Sequence, residues 1–136
     1  MSRNRFQLIQ RYLHFNDNNA AGTNEDHLYK IHTILDNVNN FRTNYIPDRE
    51  ISLDEGMLGW WGRLRFCVYK RGKITKYGIL VRMVSVSSTG YIGNLQIYDG
   101  KCGPLNETVG FLFEPYEGKI YHLYQDNYYN SVRKNE

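Results

Sequence analysis

The chain has 136 residues, enough for one domain or most of one, and a composition 41% hydrophobic and 15% aromatic supports a real core. A net charge of +3 is only mildly basic and says little about partners by itself, and no apolar run reaches the length of a membrane span. Met1-Ser2-Arg3-Asn4-Arg5 is followed by no hydrophobic signal region, and Cys67 and Cys102 belong to no Cys-x-x-Cys motif, so the sequence predicts a soluble, intracellular protein with reduced thiols.

In chain order, Ser2 is placed to cap a helix running to about Phe15, with Phe6, Ile9 and Leu13 on one stripe and Leu8 and Tyr12 widening it. The Asn-rich stretch from Asn16 to Asn24 reads as a loop. A second helix is expected from Asn24 or Glu25, carried by Leu28, Ile31, Leu35, Val38 and Phe41, and ending before Pro47 because a residue preceding proline is pushed out of the helical region. Residues 1–48 thus form a helical segment, and the pattern changes to strands from residue 49.

Glu50-Ile51-Ser52-Leu53-Asp54-Glu55 has the alternation of a strand, with Ile51 and Leu53 facing one way and Ser52 and Asp54 the other. Glu55, beside Asp54, suits either an added ligand or a solvent-exposed position, and exposure is the expected one. Arg63 to Tyr69 alternates, as do Tyr77 to Ser87 and Tyr91 to Tyr98, the last two joined as a hairpin at Ser88-Thr89-Gly90. A short crossover helix is expected around Val109 to Tyr116, capped by Asn106 or Thr108 and weakened by Gly110 and Pro115. A second strand follows, Ile120 to Gln125, again ending in an acid at Asp126, and Ser131 is placed to open another helix.

This order makes a mixed α/β sheet in which the two acid-bearing strands lie adjacent and parallel with their C-terminal ends together, where ligands of open α/β sheets bind. Asp54 and Asp126, 72 positions apart, are therefore a candidate metal pair. On spacing alone the favoured reading of each is an ordinary acid capping a turn. Between Arg63 and Arg82 there are seven basic residues and no acid, interleaved with Phe66, Tyr69 and Tyr77. They suit either a phosphate backbone or a solvated hairpin face, and the residues alone leave the two level. Trp60 and Trp61 are read as core or interface packing ahead of base stacking. His14 and His122 have no partner at ligand spacing, and His27 and His32 miss the four-residue spacing of a helical metal pair.

Taken together, several stretches resemble the piggyBac transposases and host proteins derived from them: Met1 to Phe6, Leu13 to Asn18, Ser52-Leu53-Asp54-Glu55-Gly56-Met57, Gly62-Arg63-Leu64, Thr89-Gly90-Tyr91, Tyr98-Asp99-Gly100-Lys101 and Asp126-Asn127-Tyr128-Tyr129-Asn130-Ser131. The resemblance implies a ribonuclease H-like fold, here partial, with Asp54 and Asp126 matching the first two of three catalytic aspartates. It implies Mg²⁺ or Mn²⁺ as cofactor, with Asp54 and Asp126 as metal ligands in DNA cleavage and strand transfer. The expected partners are double-stranded DNA, as transposon ends and target, and a second copy in a homodimer. The expected location is the nucleus, with no membrane. With the resemblance, Arg63, Arg65, Lys70, Arg71, Lys73 and Lys76 become DNA-contact candidates.

The sequence also departs from the family pattern. The third aspartate is expected roughly a hundred residues after Asp126, yet the chain stops at Glu136, and the cysteine-rich finger is absent. The family's Lys-Pro-x-Lys-Trp-Gly-x-Lys appears here as Lys73-Ile74-Thr75-Lys76-Tyr77-Gly78-Ile79-Leu80, without the proline and the final lysine. The expectation is thus a transposase fragment, inactive alone, whose uncovered sheet edge invites aggregation. The alternative is a domesticated or decayed protein that binds DNA or a partner without catalysis.

Overall fold

The structure is a computed structural model describing residues 1–17, 26–101 and 103–130. It has two compact units, Met1–Asn40 and Phe41–Glu136. Among the described residues no helix is long and apolar enough to cross a membrane.

In the first unit, α1 (Arg3–Tyr12) opens at Ser2, whose Oγ accepts from the Arg5 amide at 3.4 Å. That satisfies one of the amides a helix start leaves unpaired, and Arg11 in the last turn complements the dipole. The helix ends three residues before the expected Phe15, because local side chains take over the backbone groups. Leu13 is extended, His14 Nδ1 lies 2.7 Å from the Tyr12 carbonyl, and Asn16 Nδ2 donates to the Tyr29 carbonyl at 2.7 Å. The predicted stripe exists, but α1 buries none of it. The start expected at Asn24 or Glu25 and most of the Asn-rich loop lie outside the described residues. At Asp26, Oδ1 accepts from the Leu28 amide at 2.8 Å and Oδ2 meets His32 Nε2. This Asx-type turn leads into a 3₁₀ turn, Tyr29–Ile31, so α2 (His32–Asn44) begins later than expected. It ends before Pro47, as the sequence requires.

The second unit is a five-stranded mixed sheet with a crossover helix. β1 (Glu50–Gly59) pairs antiparallel with β3 (Tyr77–Val86), and β3 pairs antiparallel with β2 (Val68–Tyr69) and β4 (Ile92–Ile97). The predicted hairpin is present: Gly90 turns with φ +70° and its amide donates to the Val86 carbonyl at 2.8 Å. After β4 the chain forms α3 (Leu105–Phe113), a 3₁₀ turn at Glu114–Tyr116, β5 (His122–Gln125) and α4 (Asn127–Asn130). β5 lies parallel to β1, as the sequence order predicts.

Two elements depart from expectation for reasons of pairing and capping. The alternating run Arg63–Tyr69 forms only the two-residue β2. β2 and β4 share one edge of β3, and β4 occupies it from Val81 onward, leaving only Tyr77 and Gly78 for β2. The crossover helix starts at Leu105, before both proposed caps, since Pro104 supplies the carbonyl that accepts from the Glu107 and Thr108 amides at 3.1 and 3.4 Å. Thr108 is a buried residue and no cap, and Pro115 falls in the 3₁₀ turn that ends the helix.

Ile51 and Leu53 of β1 pack with Val84, Leu112, Tyr116 and Tyr129 in the core under α3. The fully buried Asn94 is satisfied on both sides of its amide. Nδ2 donates to the Phe111 and Leu112 carbonyls at 3.1 and 3.0 Å, and Oδ1 accepts from the Leu95 amide at 3.0 Å. It thereby supplies partners to two carbonyls near the end of α3 and fixes that end to β4. The tryptophans are not in this core: Trp60 is 44% exposed and Trp61 89%.

Candidate carboxylate site

Alternation along β1 sends Ile51 and Leu53 into the core and leaves Asp54 exposed on the other face. β5 runs beside it in the register Glu50↔His122, Ile51↔Leu123, Ser52↔Tyr124 and Leu53↔Gln125. The ladder ends at Leu53↔Gln125, so Asp54 continues β1 while Asp126 follows β5 directly and precedes α4. Ser52 and Ser85, whose hydroxyls lie 2.9 Å apart, link β1 to β3 on the same pleat as Asp54.

Each acid has local partners. Asp54 Oδ1 accepts from the Glu55 amide at 2.7 Å and from Lys73 Nζ at 3.4 Å, with its side chain 66% exposed. Asp126 sits at the start of α4, where its Oδ1 accepts from the Asn127 amide and its carbonyl from the Tyr129 and Asn130 amides at 3.0 and 3.3 Å. The α4 helix therefore begins before Ser131, the residue the sequence suggested as an opening, which lies outside the described residues.

Glu55 is not the exposed acid expected from sequence. Its side chain is only 12% exposed, because it falls on the core-side pleat with Leu53. Tyr129 Oη donates to its Oε2 at 3.1 Å, and Lys70 and Lys73 bring their ammonium groups to 3.9 and 4.0 Å from its Oε1. Lys73 also donates to the Glu55 carbonyl at 2.8 Å. Burial, reinforced by the charge and hydrogen bond of Glu55, pushes the Tyr129 hydroxyl well above its ordinary pKa of 10.0.

The six basic candidates divide. Lys70 and Lys73 are half-buried and turned onto the carboxylates, Lys70 also lying 5.5 Å from the Tyr128 ring centroid. Arg63, Arg65, Arg71 and Lys76 are exposed, the first two between β1 and β2 and the last two in the β2–β3 turn. Arg82, the seventh basic residue of the run, is buried instead, with its guanidinium 5.8 Å from the Tyr98 ring centroid. It stands opposite Glu55 in the β1–β3 register. Sequence reasoning missed the partnership of Glu55 and Tyr129, 74 positions apart, for which no local motif exists.

The sequence expected both strands to end at their acids, but β1 runs on to Gly59, so Asp54 lies in mid-strand and only Asp126 follows a strand end. As ligands, two exposed carboxylates offer the hard oxygen donors that Mg²⁺ and Mn²⁺ prefer. The donor chemistry fits a divalent ion. Among the described residues no group of three or more His, Cys, Asp or Glu side chains converges to hold one, and His14, His27, His32 and His122 form no such group.

Residues 1–135 match the family model described as Transposase IS4. The chain belongs to the Transposase IS4 family. Its fold matches a piggyBac transposase solved by cryo-EM as a synaptic complex with hairpin DNA, with a TM-score of 0.86 and 30% sequence identity. The match covers 97% of this chain and 30% of that one, so the chain spans under a third of that transposase. The resemblance read from the short motifs and the mixed α/β sheet expected from it are both found.

Proposed function

We propose that this chain is the part of a piggyBac-type DNA transposase that contributes Asp54 and Asp126 to the metal-binding catalytic site for DNA cleavage and strand transfer. The observation that supports this reading is the parallel pairing of β1 with β5, whose ladder ends at Leu53↔Gln125, one residue before each acid. A divalent ion held there would supply electrophilic activation of a phosphodiester and of the attacking oxygen, as in two-metal sites with ions about 3.5–4 Å apart. The residues' own contribution is positional. The sheet fixes the two carboxylates, the Asn127 amide orients Asp126, and Lys73 and the Glu55 amide orient Asp54.

The exposed Arg63, Arg65, Arg71 and Lys76 would serve as DNA contacts, suited to phosphate and carrying no base readout. Homodimer formation and nuclear action belong to the same proposal. The test is a cleavage assay on a terminal-repeat duplex with Mg²⁺ or Mn²⁺. In the longer transposase, Asp54→Asn and Asp126→Asn should each abolish cleavage while leaving DNA binding intact. The 136-residue chain alone should cleave nothing, since its described residues hold only two of the acids. Full activity in either aspartate variant would overturn the assignment. A second reading, DNA binding without catalysis, is favoured by the exposed basic residues, and retained binding by a non-cleaving natural protein would support it.

A further inference from the structure

The half-buried Glu55 is bound from three directions, and this gives it a task distinct from that of the aspartates. Its Oε2 accepts from Tyr129 Oη at 3.1 Å, and Tyr129, itself buried, belongs to the helix that begins immediately after Asp126. Its Oε1 faces Lys70 and Lys73, at 3.9 and 4.0 Å, on the loop between β2 and β3. β5 pairs with β1 only through Leu53↔Gln125, one step short of the acids. Beyond that step, the hydrogen bond from Tyr129 to Glu55 ties the two chain segments together. A carboxylate on the core side of β1 thus anchors the segment carrying Asp126 to the segment carrying Asp54.

The same carboxylate shares the positive charge of Lys73, which would otherwise fall on Asp54 alone, 3.4 Å away. Loss of Glu55 would leave the ammonium group of Lys73 beside Asp54 alone and favour its pairing with it. A divalent cation would then meet a displaced and partly neutralised acid pair.

We propose that Glu55, acting through Tyr129 and Lys73, is a positioning residue that sets the spacing and availability of Asp54 and Asp126 for a divalent cation. The inference rests on the reading of those two acids as metal ligands. Glu55 itself points to the opposite side of β1 from Asp54 and is no ligand. Removing an outer-shell partner of this kind lowers metal affinity by roughly 10–100-fold at known sites.

The experiment is titration of the 136-residue chain with Mn²⁺, reading free Mn²⁺ by electron paramagnetic resonance, for wild type, Tyr129→Phe, Glu55→Gln, their double variant and Asp54→Asn. Tyr129→Phe keeps the buried ring and deletes only the hydroxyl. It should weaken Mn²⁺ binding by about tenfold, at the low end of that range. Glu55→Gln should weaken it further, and the double variant should match Glu55→Gln, because the two residues act through one contact. Adding Lys73→Ala to Glu55→Gln should recover part of the affinity, an outcome that mere structural support would not give. Wild-type affinity in both Tyr129→Phe and Glu55→Gln, with Asp54→Asn abolishing binding, would overturn this inference alone. Unchanged affinity in Asp54→Asn, or no binding by wild type, would overturn the ligand assignment and this inference with it. If Glu55→Gln fails to fold, Tyr129→Phe alone decides.

Discussion

At the scale of single residues, the second unit depends on a few positions where a small change meets backbone or a satisfied polar group. Asn94 is one. Replacing it with Leu keeps approximate size but leaves the Phe111 and Leu112 carbonyls without their donor at a buried site. Each such loss costs about 1–3 kcal/mol, so Asn94→Leu should lower the denaturant midpoint by the equivalent of at least 2 kcal/mol in a urea titration. Gly78 is another: a Cβ there would stand 2.0 Å from the Leu58 carbonyl oxygen, with no flexible side chain to move aside. Gly78→Ala should be more disruptive than a Leu112→Ala cavity, which costs about 2–5 kcal/mol, and thermal melts of the two variants compare them directly.

Tyr129 gives a pH dependence with a definite sign. Its folded pKa is raised above 10.0 by burial and by Glu55, so the stabilisation it confers is fully present below pH 10 and lost as pH rises above that value toward its folded pKa. The stability advantage of wild type over Tyr129→Phe should therefore shrink between pH 9 and 11, as measured by urea unfolding at each pH. The comparison with Phe removes the contribution of the other eleven tyrosines, which titrate in both proteins.

At the scale of elements, β5 carries the most consequence for its length. Its four residues pair with β1 on one side, while Leu123 is 41% exposed and Tyr124 53%. An edge strand with exposed apolar side chains is a template for further strand pairing. The 136-residue chain should accordingly self-associate with rising concentration in light scattering. Tyr124→Lys should reduce this without lowering the melting temperature, because the lysine lies on an already exposed position. β2 illustrates a limit of alternation as a signal. The Arg63–Tyr69 run has the pattern of a strand, yet a strand needs a free edge, and β4 holds the adjoining one. α3 illustrates the same limit for caps. Asn106 and Thr108 have favourable chemistry, but the chain bends into the helix at Pro104, two residues earlier than the first of them.

At the scale of the whole molecule, a net charge of +3 conceals an uneven distribution along the sequence. Lys70 and Lys73 are engaged with Glu55 and Asp54, whereas Arg71 and Lys76 in the same turn are exposed. If DNA binds this face, Arg71→Ala and Lys76→Ala together should flatten the dependence of log affinity on log salt by up to about 1.8, whereas Lys70→Ala with Lys73→Ala should change it less. Fluorescence anisotropy with a duplex at several salt concentrations measures both slopes. Equal effects from the two pairs would show that the carboxylates do not hold the lysines.

Much of the design was legible in the chain itself. The buried alternation of Ile51 and Leu53, the turn glycine Gly90 and the helix cap Ser2 follow from local chemistry, since each depends only on neighbouring residues. The order of strands and the crossover helix foretold the parallel neighbours β1 and β5. What only tertiary structure decided was the state of the groups around those acids. Whether Glu55 lies in solvent or against Tyr129, whether Arg82 reaches outward or packs on Tyr98, and whether Arg63–Tyr69 finds a strand partner all depend on contacts between distant segments. Such contacts follow from which edges and faces remain unoccupied once the sheet has formed, a property that no window of sequence contains.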